Sequence, residues 1–138
     1  NQLLNFDTSN VTDMSYMFRQ ATSFDQSLNF NTSSVTNMDN MFSGATAFNG
    51  TLTFSDTSSV TEMDSMFNDV TLSTINYNAI LIYWENGLET AFPNGSGYTP
   101  TISITFGGSK YTGGGVAATA KASLINNFNW TITDGGIA

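Results

Sequence analysis

Eleven Asp and Glu face three Lys and Arg in this 138-residue chain, and neither His nor Cys is present. Ser-His and Cys-His nucleophilic pairs, thiolate chemistry and Cys-based metal sites are therefore excluded. The carboxylates themselves offer two arrangements. Asp13, Asn37 and Glu62 recur at one matched position, and Ser15, Asp39 and Asp64 at another, two residues on. A stacked column of such oxygens, with Asp13, Glu62, Asp39 and Asp64 as its charged members, could hold Ca²⁺, although no loop has the dense Asp-x-Asp-x-Asp-Gly signature of a dedicated calcium site. Without such a site the same acids are a solvated outer face. Hydrolysis by paired carboxylates needs two acids across a cleft. Asp25, Asp69, Glu85, Glu89 and Asp134 are scattered along the chain with no evident pairing. The residues predict no enzyme and require no cofactor.

The three basic residues, Arg19, Lys110 and Lys121, are too few to neutralise a nucleic-acid backbone or to form a polybasic lipid patch. With a formal charge of −8 and only 10% charged residues, the polar surface must consist mainly of Asn, Thr, Ser and Gly. The longest apolar run, Ala79-Ile80-Leu81-Ile82-Tyr83-Trp84, falls far short of the ~18 residues of a membrane span, so direct membrane insertion is not expected. The glycines of Gly113-Gly114-Gly115 could offer amides to an anion, but no Gly-Lys-Ser/Thr follows, and a flexible connector is the simpler reading.

What must position these groups is a repeat. Val35-Thr36-Asn37-Met38-Asp39-Asn40-Met41-Phe42 is preceded by Val11-Thr12-Asp13-Met14-Ser15-Tyr16-Met17-Phe18 and followed by Val60-Thr61-Glu62-Met63-Asp64-Ser65-Met66-Phe67. Starts at 11, 35 and 60 give steps of 24 and 25 residues, a period that predicts a solenoid. Each copy opens on an alternating segment: Leu4-Asn5-Phe6, Ser27-Leu28-Asn29-Phe30 and Thr51-Leu52-Thr53-Phe54. Period two predicts a strand with Leu and Phe inward. A polar corner follows, one residue longer in the third copy, where added loop length costs little. The Val-Thr-x-Met-x-x-Met-Phe side fits a short helical or 3₁₀ turn or a brief extended bridge, and a short irregular segment is expected. All six Met and eight of the eleven Phe fall at equivalent positions. Coils stacked about 4.8 Å apart would bury them as continuous ladders, which favours a core role over a soft-metal or promiscuous binding groove for the Met rows.

The segment 35–49, Val-Thr-Asn-Met-Asp-Asn-Met-Phe-Ser-Gly-Ala-Thr-Ala-Phe-Asn, preceded in its copies by Asp/Asn-Thr-Ser-Asn/Ser, resembles the BspA-type leucine-rich repeat of bacterial surface proteins. It is similar to repeats of Mycoplasma surface lipoproteins and of large Bacteroidetes cell-surface proteins. The resemblance covers residues 1–72. It implies an α/β fold built as a right-handed leucine-rich-repeat-like solenoid with a parallel strand ladder. It also implies secretion to the bacterial cell surface and attachment to host matrix proteins, other bacteria or surfaces.

Beyond Leu72 the pattern predicts a capping unit over 73–138, ordered helix-strand-helix-strand. Ser73 or Thr74 caps a first helix with the stripe Tyr77, Ile80, Leu81 and Trp84 and a stop near Gly87, followed by a loop over 85–100. Thr101-Ile102-Ser103-Ile104-Thr105-Phe106 alternates as a strand; a second helix runs over about 116–127; Trp130-Thr131-Ile132-Thr133 is the last strand. Leu-Ser-x-x-Asn-Tyr at 72–77 and Trp-Thr-Ile-Thr-Asp-Gly-Gly at 130–136 resemble the close of Bacteroidetes surface repeats. A terminal unit covers the apolar end and strand edges of a solenoid. The opposite face, at Leu3, Leu4 and Phe6, has no such cover and is expected to abut upstream repeats or another copy.

The outward positions of the predicted strands, Asn5, Ser27, Asn29, Thr51, Thr53, Ser103, Thr105, Thr131 and Thr133, would form one ladder of short hydroxyl and amide groups. That ladder could take an extracellular protein or glycan through many weak hydrogen bonds, making the chain an adhesion or interaction module. A structural spacer that assembles through its open edge is the alternative, and an ice-binding face, from Thr51-Leu52-Thr53 and Thr131-Ile132-Thr133, a lesser one. A merely soluble face would look the same.

Overall fold

The computed structural model describes Leu4, residues 6–54 and residues 56–138 of a mixed α/β protein. Its regular elements are helix α1 (Thr74–Ala91), a 3₁₀ turn (Pro93–Gly95), strand β1 (Ser103–Thr105), helix α2 (Val116–Asn126) and strand β2 (Thr131–Thr133). The two strands form a parallel sheet with Ser103 opposite Thr131 and Thr105 opposite Thr133. Ahead of α1 the three sequence repeats lie on one another as layers 1 (residues 4–24), 2 (28–48) and 3 (52–72). Parallel bridges join Asp13 to Asn37, Asn37 to Glu62 and Leu28 to Leu52.

The Val-Thr-x-Met-x-x-Met-Phe side is neither helix nor strand. It is a run of overlapping turns in which successive amides alternate in direction. In layer 1 the N–H groups of Met14, Tyr16, Phe18 and Gln20 donate across to the carbonyls of Asn37, Asp39, Met41 and Ser43, while those of Met17, Arg19 and Ala21 donate back to Met14, Tyr16 and Phe18. Layer 2 repeats the pattern onto Glu62, Asp64, Met66 and Asn68. Reversing the chain every second residue requires a left-handed residue at fixed places: Tyr16, Asn40 and Ser65 at φ 61°, 54° and 56°, then Gln20, Gly44 and Asp69 at 60°, 72° and 61°. Every second amide is thereby free to bond the neighbouring layer, so the backbone is satisfied without an extended strand.

The expected Leu-x-Phe strands are likewise shorter than the alternation suggests. The Leu28–Leu52 bridge is held by Leu28 N–H to Thr51 O at 2.9 Å and Thr53 N–H to Leu28 O at 3.2 Å. The chain then enters the polar corner. There Asp7, Asn31 and Asp56 each accept from the N–H and Oγ of the Ser two residues on.

Like side chains meet like along the stack. Phe18–Phe42 and Phe42–Phe67 ring centroids are each 5.3 Å apart, Phe24–Phe48 5.8 Å and Phe30–Phe54 5.9 Å, with planes within 9° in all four pairs. Met38, Met41, Met63 and Met66 are fully enclosed. The first layer is the exception. Phe6 is 56% and Met17 43% exposed, and among the described residues the carbonyls of Asp13, Ser15, Met17 and Arg19, equivalent to the acceptors of layer 2, receive no amide.

The unit from Ser73 onward closes the other end. Ser73 caps α1 by accepting from Asn76 N–H. Gly87 does not end the helix; it continues one more turn to Ala91, because Leu88 extends the buried stripe of Tyr77, Ile80, Leu81 and Trp84. Residues 85–91 of the expected 85–100 loop are therefore helical. Phe106 joins the central Phe column, 5.0 Å from Phe67, and Phe67 N–H donates to Thr105 O. Strand β1 thus continues the turn side of layer 3, while α1 lies over the Leu-x-Phe side, its first turn tied to Asn49 through Ser73 N–H and Asn76 Nδ2. Gly107, at φ 55°, permits the departure of the chain from β1, since a Cβ there would sit 2.1 Å from Val70 O.

Phe42, with stacked rings on both sides and no exposed surface, should be the costliest residue to truncate. Phe42→Ala is expected to lose ~3–5 kcal/mol in urea unfolding. Phe6→Ala, on the open layer, should lose under ~1 kcal/mol; equal losses would contradict the described stack.

Candidate functional site

The outward hydroxyl and amide positions do not form one ladder. Ser27, Asn29, Thr51 and Thr53 make a first patch on the Leu-x-Phe side, and they bond to one another between layers. Thr51 N–H donates to Ser27 Oγ at 3.1 Å, and Thr53 Oγ1 to Asn29 Oδ1 at 2.9 Å. Ser103, Thr105, Thr131 and Thr133 make a second patch on the β1–β2 sheet, which follows the turn side instead. The register of Phe106 with Phe67 fixes this separation, because a strand in the Phe67 column cannot also extend the Leu52 column. The two Thr-x-Thr segments accordingly lie in different patches. Asn5 lies outside the described residues.

In the first patch Ser27, Asn29 and Thr51 are exposed and Thr53 half-buried. Since Ser27 and Asn29 already act as acceptors between layers, each rung is held in place before any ligand arrives, which limits the ordering cost of binding. No charged side chain belongs to the patch, so its recognition chemistry is neutral hydrogen bonding.

The acidic columns do form, through the parallel bridges at Asp13, Asn37 and Glu62. Their oxygens, however, serve the backbone: Asp13 Oδ1 accepts from Ser15 N–H and Asn37 Oδ1 from Asp39 N–H, each at 2.8 Å, and Asp39 Oδ1 accepts from Asp64 N–H. Hydrogen bonding to Ser15 and Ser9 holds the Asp13 and Asp7 carboxyls below the usual carboxylate range. Among the described residues no group of three or more acidic side chains is placed to hold a metal ion.

Sequence reasoning missed a buried polar cluster in the C-terminal unit. Asp134, the residue after β2, continues its alternation on the inward side and accepts from Tyr77 Oη at 2.5 Å and from Lys121 Nζ at 2.6 Å through the same oxygen. Its other oxygen accepts from Gly136 N–H. The Lys121 ammonium also lies 4.3 Å from the centre of the Tyr111 ring. The parity of Trp130, Ile132 and Asp134 was the available signal, since alternation turns the carboxylate toward the core. Asp134 therefore pairs with a lysine from α2 and a phenol from α1. The cluster ties both helices to β2.

Residues 1–86 match the family described as Mycoplasma protein of unknown function, DUF285. The chain belongs to this family. The match runs through all three layers and into α1, so the family unit includes the start of the covering helix. No curated protein and no solved structure matches the chain. No described helix is long and apolar enough to cross a membrane.

Burial and the hydrogen bond to Asp134 push the Tyr77 phenol far above its ordinary value. An unfolded tyrosine ionises near pH 10 while the folded one keeps its proton, so stability from this group is complete below that pH and falls as pH rises past it. Urea midpoints measured from pH 8 to 11 should decline, and Tyr77→Phe should make the decline shallower. An unchanged slope would show that Tyr77 ionisation is not what destabilises the alkaline protein.

Proposed function

We propose that this chain is a non-catalytic interaction module of a bacterial cell-surface protein. In this reading layers 1 to 3 are leucine-rich-repeat-like solenoid coils of the BspA type and residues 73–138 their cap. The ligand is an extracellular protein or glycan. The carrying observation is the first patch, an uncharged set of exposed Ser27, Asn29 and Thr51 with half-buried Thr53, held rung to rung by its own hydrogen bonds. Such a surface binds through many individually weak contacts, each of ~0.5–1.5 kcal/mol, and reaches useful strength by repetition. Membership of a Mycoplasma family and the resemblance of the repeats to surface lipoproteins support an extracellular location.

The open face of layer 1 favours a second reading, in which the chain is a stacking unit. Its row of carbonyls that receive no amide among the described residues, with the Phe6 and Met17 side chains beside it, matches the donor side of another layer. Two such rows offer only acceptors to each other, so this contact is head to tail, onto a partner presenting amides.

Replacing Thr51 and Thr53 by Lys tests the first reading. Binding of immobilised protein to matrix proteins, bacterial cells or a glycan panel is expected to fall at least about tenfold, with thermal stability shifted by only a few degrees. Undiminished binding would reject the patch. Multi-angle light scattering over a hundredfold concentration range addresses the second: association is expected to weaken with Met17→Lys, and a strict monomer would reject it.

A further inference from the structure

Where α1 passes the corner of layer 3 it leaves a groove of about 520 Å³, lined by Asp56, Ser58, Tyr83, Asn86, Gly87, Thr90 and Ala91. Neither the repeat nor the hydroxyl patches account for it. Tyr83, Asn86 and Thr90 fall on one face of α1 by helical spacing, and Asp56 belongs to the corner lengthened by one residue in the third repeat. We propose that this groove is a binding site for a neutral saccharide.

The lining chemistry selects that class. Tyr83 is 44% exposed on a helix whose other aromatic side chains, Tyr77 and Trp84, are fully buried, so it presents an accessible ring for the apolar face of a pyranose. Among the described residues its hydroxyl has no hydrogen-bond partner. Asp56 commits one oxygen to Ser58 N–H and Oγ, and its second oxygen has no partner among the described residues. Asn86 supplies a carboxamide with both donor and acceptor. Thr90 Oγ1 donates to Asn86 O at 2.7 Å and keeps its lone pairs for an incoming hydroxyl. A planar aromatic beside a carboxylate, a carboxamide and hydroxyls answers the alternating C–H and O–H surfaces of a sugar ring. Gly87 and Ala91 keep the floor low between the larger side chains.

Competing ligand classes fit less well. No basic side chain lines the groove, and the chain carries a formal charge of −8, so phosphate, sulfated or sialylated ligands meet repulsion. A quaternary ammonium is held by several aromatic rings, and here there is one. The volume lies within the ~300–1,000 Å³ of small-ligand sites, and the groove is open enough to admit the end of a longer glycan. This site is separate from the Ser27–Thr53 patch and stands whether or not that patch binds anything.

Saturation-transfer NMR of the full 138-residue chain with glucose, galactose, mannose, N-acetylglucosamine and, as the charged control, N-acetylneuraminic acid tests the proposal. Transfer is expected to at least one neutral sugar, with weak affinity of about millimolar order for a single residue, and not to the anionic one. Tyr83→Ala should reduce affinity at least about tenfold, and Asn86→Ala several-fold, with circular dichroism unchanged because both side chains lie on the outer face of α1. Thr51→Lys with Thr53→Lys should leave sugar binding intact, which separates this site from the first patch. No transfer to any neutral sugar at 10–20 mM (on the order of ten times that affinity), preference for the anionic sugar, or binding that survives Tyr83→Ala in a folded protein would each overturn the assignment.

Discussion

The alternation of amide direction along residues 14–21 and their equivalents is the constraint on which the rest of the structure depends. A backbone that sent every N–H to its own turn would close on itself as a helix, with nothing left for the next layer. One that sent every donor sideways would need an extended strand and a flat sheet. Here Met14, Tyr16, Phe18 and Gln20 reach across while Met17, Arg19 and Ala21 reach back. A tight spiral and interlayer bonding therefore coexist. The cost is a left-handed residue at every fourth position, borne by Tyr16 and Ser65 as well as by the better suited Asn40 and Gly44. That cost is tolerable because the same geometry turns Met and Phe inward at fixed height, so ring stacking at 5.0–5.3 Å through Phe18, Phe42, Phe67 and Phe106 offsets it.

How the sequence announces this architecture varies by residue. The columns of Leu, Phe and Met were legible because burial and a fixed period act together: a side chain that must meet its own copy in the next layer has to recur in register. Asx corners at Asp7, Asn31 and Asp56 were legible through the local chemistry of Asp, Asn and Ser. The turn run was legible only as a short irregular segment, without its left-handed positions. Asn40 and Gly44 in layer 2 are residues that accept positive φ, but Tyr16, Gln20 and Ser65 at the equivalent positions give no such sign, and the apolar spacing alone suits helix as well as turn.

The outward hydroxyl and amide positions divide into two patches for a related reason. Alternation in Ile102, Ile104 and Phe106 says that one side of β1 is buried, without saying in which column of the stack it lies. The Leu-x-Phe segments and the β1–β2 strands share a pattern, so grouping Ser27, Asn29, Thr51 and Thr53 with Ser103, Thr105, Thr131 and Thr133 follows from the sequence. It fails because α1 already occupies the Leu-x-Phe side of layer 3, tethered at Asn49, and leaves only the turn side for β1 to continue. Helix length mattered in the same way: Leu88 on the buried stripe outweighs the modest propensity cost of Gly87, ~1 kcal/mol, and carries α1 on to Ala91.

The extra turn of α1 gives the C-terminal unit a consequence beyond covering the stack. Had α1 stopped at Gly87, Thr90 and Ala91 would not stand over the corner of layer 3, and Asp56 would face open solvent as Asp7 does. The additional turn of helix over that corner makes a concave surface that sets an accessible ring beside several polar groups. Repetition supplies broad, uniform faces suited to many weak contacts. Specific recognition requires a break in uniformity, and in this chain the break falls where the last repeat meets the helix that ends it.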